Sequence, residues 1–245
     1  MRIRLMLTCT ACCGALLFAT SAMAEPAGQP EVDKEHAPQK VALELGGLWT
    51  QGIDATSAST RGGGGYAGAT YWTANGKVPV FARYTVAQST IVDRIAQPAG
   101  GSTLDVAETS LRHTAELGVG YRLELMQTAV VPWLLPFVSP RALMIVDPLA
   151  PQWAIELGGG ARAGITVHKS LELSGLIAYH GAVVATDTPR TVYGAPIGEL
   201  RFGGELSYRA ARPLWITFGY EGNITSLEHS EIAIHQVYAG ISARF

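Results

Sequence analysis

The stretch VYAGISARF (237–245) closes the chain on a strict alternation. Val237, Ala239, Ile241, Ala243 and Phe245 are apolar, with Tyr238, Gly240, Ser242 and Arg244 between them. Successive side chains of a strand point to opposite faces, so this stretch has one apolar face and one mixed polar face. The same period recurs upstream. In AELGVGYRLEL (115–125), Ala115, Leu117, Val119, Tyr121, Leu123 and Leu125 oppose Glu116, Gly118, Gly120, Arg122 and Glu124. WAIELGGGARAGITVH (153–168) and ELRFGGELSYR (199–209) repeat the pattern. No run of helical periodicity competes with it.

Ten such segments span 41–53, 64–74, 78–92, 110–125, 132–146, 152–168, 171–184, 197–209, 213–226 and 234–245. FVSPRALMIV changes hydrophobic phase around Pro140, which predicts a bulge or bend there. Longer polar linkers at 54–63, 93–109 and 185–196 alternate with tight turns at Asn75-Gly76, His168-Lys169-Ser170 and Ala210 to Pro213. Asn-Gly between alternating runs is a strong hairpin signal. The longer links therefore fall at one end of the sheet and the tight turns at the other.

Composition restricts the class. Apolar residues make up 48% and charged residues only 16%, against about a quarter charged in a typical soluble domain. No internal apolar stretch reaches the roughly 18 residues of a membrane helix. There is no basic block, so no nucleic-acid partner is expected. Residues 1–24 read as a secretory signal: Arg2 and Arg4 lead, Leu5 to Ala19 is largely apolar, and Ser21-Ala22-Met23-Ala24 offers small residues at the cleavage point. Cys9, Cys12 and Cys13 all lie within it. The remaining chain has no thiol and no cysteine metal site. With Arg2 and Arg4 removed, 16 basic residues face 20 acidic ones, a net charge of −4. Residues 25–40, with three prolines, read as an extended periplasmic lead-in, and 41–245 as the folded unit.

The polar face is unusual for one that meets water. Its recurrent residues are Glu, Arg and Gly. By the alternation it carries Glu44, Arg83, Glu116, Arg122, Glu124, Arg141, Glu156, Arg162, Glu172, Glu199, Arg201, Glu205, Arg209, Glu221 and Arg244. Near-balance of the two signs is expected where they pair in a confined space, and Arg is favoured where planar pairing to carboxylates matters. Interleaved glycines leave room for these side chains. The opposite face is nearly free of charge, as lipid contact requires, since a charge at the midplane costs roughly 2–4 kcal/mol. Trp49, Trp133, Trp153, Tyr179, Tyr208 and Phe245 fall near strand ends, where interfacial aromatic girdles lie. Backbone groups in lipid need partners within the protein, so such a sheet must close. The expectation is an all-β, closed, antiparallel, up-and-down transmembrane barrel of about ten strands, polar inside and apolar outside.

The final strand adds a resemblance. Tyr238, Gly240, Ala243 and Phe245 resemble the carboxy-terminal assembly signal of Gram-negative outer-membrane β-barrel proteins, of the small porin-like or opacity-like class. In that family the last strand ends on an aromatic residue, with a second apolar residue two before it and a Gly five before it. Ala243 is smaller than usual. The motif covers eight residues. The resemblance implies outer-membrane localisation, outer-membrane lipid around the barrel, and the barrel-assembly machinery and periplasmic chaperones as partners during biogenesis.

Sites for chemistry are sparse. Some barrels of this kind are enzymes, either lipid A deacylases or omptin-type proteases. Glu228-His229-Ser230 holds the residue types of a hydrolytic site, but adjacent residues on an extended chain point apart. Asp54, Asp93, Asp187, His180 and His229 are rim candidates without a paired motif. His229 and His235 have no third ligand nearby, so no metal is expected. Gly158-Gly159-Gly160 and Gly118-x-Gly120 open no helix and read as lumen glycines, not phosphate loops. Asn223-Ile224-Thr225 matches a glycosylation sequon, which has no use in a bacterial outer membrane. No cofactor is implied. The leading expectation is an integral outer-membrane barrel, structural or porin-like, with a lumen largely filled by Glu/Arg pairs; it would make surface contacts through its loops or pass small solutes. An outer-membrane enzyme with a rim site, and a secreted soluble β-sandwich or lipocalin-like carrier, are the alternatives.

Overall fold

The computed structural model describes residues 40–54, 59–73, 76–96, 103–126, 130–146, 152–167, 170–185, 196–227 and 231–245. The segments read as signal and most of the lead-in lie outside the described residues.

Eleven strands follow one another: β1 (Val41–Asp54), β2 (Ser59–Trp72), β3 (Pro79–Ala96), β4 (Thr103–Gly120), β5 (Leu123–Glu124), β6 (Val130–Val146), β7 (Gln152–Val167), β8 (Leu171–Ala185), β9 (Pro196–Arg209), β10 (Leu214–Leu227) and β11 (Glu231–Arg244). Sequence neighbours pair antiparallel, β1 pairs with β11, and β4 pairs with β6. The sheet therefore closes on itself, and the parts of β3 and β4 farthest from the tight turns extend past their neighbours β2 and β6. β5 continues β4 in the same register: Val119 faces Val138 and Leu123 faces Leu134. Between them, Tyr121 N donates to Pro136 O at 3.0 Å. The barrel thus has ten staves, one of them interrupted.

Alternation places the side chains as the sequence pattern requires. Leu117, Val119, Tyr121, Leu123 and Leu125 are exposed on the outer wall, whereas Glu116 is 6% exposed inside. On β11 the outer residues Val237, Ile241 and Phe245 are exposed and Tyr238 and Ser242 are buried. Lys40 N and Val41 N both donate to Phe245 O, at 2.6 and 3.2 Å, and Phe245 N donates back to Val41 O at 2.8 Å. The β1–β11 ladder thus runs to the last residue.

The tight-turn end is stitched by short contacts. Gly76 N donates to Thr73 O at 2.7 Å, and Gly76 has a φ of 63°, a conformation that glycine adopts at no steric cost. At the opposite end the structure corrects the reading of long links. β2 begins at Ser59, β3 runs to Ala96 and β4 begins at Thr103, so much of 54–63 and 93–109 is strand. β3 and β4 have 18 residues each. At about 3.3 Å per residue that is roughly 60 Å, far beyond the 9–11 residues a membrane strand needs. Outside hydrocarbon a strand no longer needs an apolar face, so periodicity alone missed these extensions.

Pro140 makes no bulge. The β4–β6 register is the same on both sides of it, Glu116 facing Arg141 and Val119 facing Val138. The phase change comes from the lumen, where the inner face of β6 changes from Trp133, Leu135 and Phe137 to Ser139 and Arg141. Trp133, expected in an outer girdle, is accordingly 4% exposed inside the barrel. Trp49, Trp153, Tyr179, Tyr208 and Phe245 do lie on the outer wall, each more than 40% exposed.

Candidate functional site, the ion-paired lumen

The interior divides by height. Toward the tight turns it is aromatic: Phe81 packs edge-on to Phe137 with centroids 5.6 Å apart, and Trp133 and Trp215 are buried. Two arginines lie over these rings. The Arg122 guanidinium sits 4.7 Å from the Trp133 centroid and 5.9 Å from Trp72, while Arg244 sits 4.1 Å from Trp215 and 3.6 Å from Glu172. Such cation–π contacts are favourable where water is scarce. Some inner glycines are explained by this layer. A Cβ on Gly164 would lie 2.6 Å from the Trp133 ring, and one on Gly46 would lie 2.6 Å from Cζ of Tyr66. These glycines make way for aromatic rings, not for the charged side chains expected from the sequence.

Above it lies a network of four arginines and four glutamates. Arg141 donates from Nε to Glu156 at 2.6 Å and from Nη1 to Glu199 at 2.7 Å. Arg112 also pairs with Glu199, and Thr225 Oγ1 donates to the same carboxylate at 2.9 Å. Arg201 bridges Glu116 at 2.6 Å and Glu221 at 3.1 Å. Arg83 lies 3.9 Å from Glu221 and over the rings of Tyr66 and Tyr238, at 4.7 and 5.4 Å. The eight side chains come from six strands. Burying eight charges is tolerable because they pair with one another: seven are hydrogen-bonded within the network, and Arg83 lies 3.9 Å from Glu221. The cavity left among them measures about 30 Å³, room for about two waters.

The other sequence-derived lumen residues lie around this network. Glu205 accepts from Tyr238 Oη at 3.0 Å and from Ser207 Oγ at 3.3 Å. Arg162 lines a cavity of about 10 Å³ beside Glu205, Glu221 and Tyr238. Glu44 points inward next to Gly68, and Arg209 is half-buried at the tight-turn end. Glu124 differs: its side chain is 51% exposed, 3.8 Å from Arg122, because it follows the break in β4. Of the assembly-signal residues, Tyr238 is buried against Tyr66, Gly240 lies beneath Tyr66, and Ala243 and Phe245 share the outer face.

Sequence reasoning missed Arg112 and Ser139 and misplaced His180. Arg112 and Ser139 lie on the inner face in phase with Glu116 and Arg141, so extending the alternation would have found them. His180, a rim candidate from the sequence, is fully buried in the interior, because its β8 parity points it inward. Ser139 Oγ donates to Glu116 at 2.9 Å and lies 2.8 Å from His180 Nε2. With its one proton committed to Glu116, Ser139 accepts from His180 Nε2–H. With the imidazole proton on Nε2, His180 is the donor in this contact. Glu228-His229-Ser230, Asp187 and His229 lie outside the described residues, as do the side chains of Asp54 and Asp93.

No family model matches the chain, and no curated protein matches it. Solved structures with a similar trace are membrane barrels. The β domain of the Bordetella autotransporter BrkA is 13% identical, with 84% of this chain and 100% of that one covered at a TM-score of 0.48. An outer membrane channel from Pseudomonas putida F1 is 9% identical, with 89% and 100% covered and a TM-score of 0.44. Neisserial surface protein A is 12% identical, with 84% and 97% covered and a TM-score of 0.38. At these levels the assignment rests on the barrel's own geometry. A closed antiparallel sheet, apolar outside and ion-paired inside, is the architecture of an integral outer-membrane β-barrel, and this chain has it.

Proposed function

We propose that the chain is a plugged outer-membrane barrel: a non-conducting, non-catalytic scaffold that holds its long β3–β4 hairpin beyond the membrane for surface contacts. The observation that carries this reading is the network of Arg83, Arg112, Arg141 and Arg201 with Glu116, Glu156, Glu199 and Glu221 across the lumen. Passage of a hydrated solute would require parting ion pairs that are buried across the lumen. Barrels near eight strands are filled by side chains, whereas open aqueous channels come with about 16. In this reading outer-membrane lipid solvates the apolar belt. The barrel-assembly machinery and periplasmic chaperones would take up β11, with its alternation ending on Phe245.

Planar-bilayer recording of the purified barrel is the test. The expected record stays at the leak level in wild type and acquires steps when Arg141 and Arg201 are both replaced by Ala. Resolved unitary steps in wild-type protein would replace the scaffold reading with a pore.

A further inference from the structure

The outer wall carries one row of polar side chains that the plugged-barrel reading does not use. Gln51 on β1 is the register partner of His235 on β11 on one side and of Arg61 on β2 on the other. All three are exposed. Directly opposed residues on one face have Cβ atoms about 4.5–5.5 Å apart, so the three heads can converge on one group. Tyr220 Oη lies 2.6 Å from His235 Nδ1, with the two rings stacked at 6.0 Å. With Tyr220 donating to Nδ1, the imidazole presents Nε2–H outward as a donor.

The height of this row identifies what it meets. Below it on β11 the outer residues from Val237 to Phe245 form the apolar belt. Nine residues at about 3.3 Å, tilted by about 40°, give roughly 23 Å, close to the ~25 Å apolar band of such barrels. His235 is the next outward residue, so the row stands at the headgroup level, toward the extended-strand end. Among the described strand side chains that face outward, Arg61 and Glu231 are the charged ones. The register neighbours of Arg61 are Gln51 and Thr90, neither of them a carboxylate. Below Arg61 the outer face of β2 is Gly63, Gly65, Ala67 and Ala69, and an open depression of about 600 Å³ begins at Ala67. Nothing bulky on β2 stands between the cation and hydrocarbon.

We propose that Arg61, Gln51 and His235, with Tyr220 orienting His235, form a seat for the phosphate of an anionic lipid in the leaflet at the extended-strand end. The lipid's chains lie along the small-residue face of β2. Arg supplies paired donors matched to phosphate oxygens, and Gln51 Nε2 and His235 Nε2 add neutral donors. The site goes beyond the plugged-barrel reading and stands whether or not the lumen conducts.

Native mass spectrometry of the folded full chain in a nonionic detergent tests it, with dilauroylphosphatidylglycerol, dilauroylphosphatidylcholine or inorganic phosphate added. Wild type should retain the glycerol lipid about tenfold more tightly than the choline lipid, which carries the same phosphate but whose trimethylammonium cancels the net charge and is repelled by Arg61. Equal inorganic phosphate should not compete. Arg61→Gln should abolish the preference, and Tyr220→Phe, which keeps the ring, should reduce it. Heat-modifiable migration on gels checks that each variant is folded. Equal retention of both lipids by wild type, an unchanged preference in folded Arg61→Gln, or displacement by inorganic phosphate would overturn the proposal.

Discussion

At the scale of single residues, the side of the wall decides what a substitution does. Glu199 accepts from Arg112, Arg141 and Thr225. Glu199→Gln keeps the shape but leaves two buried guanidiniums short of charge. Breaking a buried pair costs about 3–5 kcal/mol, so urea unfolding in lipid vesicles should show a loss of that size; a loss below about 1 kcal/mol would mean that water screens the network. Leu117 is 61% exposed on the outer wall. Leu117→Arg should cost roughly 2–4 kcal/mol if it faces the membrane midplane, and folded yield in vesicles should fall accordingly. These positions were legible in the sequence because parity alone assigns them. Glu116, Arg141, Glu156, Glu199, Arg201 and Glu221 could be placed on one face, but which Arg meets which Glu could not, since pairing depends on the stagger between strands. Trp133 and His180 went wrong for a related reason: residue type was given more weight than parity.

At the scale of elements, β6 is the irregular stave. Pro132 O accepts from Leu125 N at 2.9 Å and Pro136 O from Tyr121 N at 3.0 Å. Those two prolines therefore present their edge to β4 and β5, and Pro140, of the same parity, does so as well. None has an N–H to give, so the carbonyls opposite lose a donor. The β4–β6 ladder is missing between Glu116↔Arg141 and Val119↔Val138, and β4 itself breaks after Gly120. Pro140→Val restores one donor toward Leu117 and should stabilise the barrel by about 1 kcal/mol. Hydrogen exchange should show the β4 amides opposite β6 opening before those of β10 and β11, and slowing in the Val variant. Uniform protection around the barrel would show that the prolines cost nothing. The sequence flagged this strand at Pro140 and mistook the symptom for a bulge: the backbone stays in register, and only the ladder is weakened.

At the scale of the whole molecule, closure and sidedness were readable from the even strand count and the alternation, since backbone in lipid must be paired. How far the strands continue past the membrane was not readable, because in water the period loses its meaning. The central claim is that hydrocarbon touches one face of the sheet and the ion-paired interior backs the other. Residues 25–245 contain no cysteine, so single cysteines can be introduced at will. The most direct measurement is a spin-label scan of the barrel in bilayers along Leu176, Ile177, Ala178 and Tyr179 and along Thr114, Ala115 and Leu117. Labels at Ile177, Tyr179, Ala115 and Leu117 should relax strongly with membrane-dissolved oxygen, and those at Leu176, Ala178 and Thr114 should be shielded from it. Oxygen access without alternation, or with the opposite parity, would contradict the account.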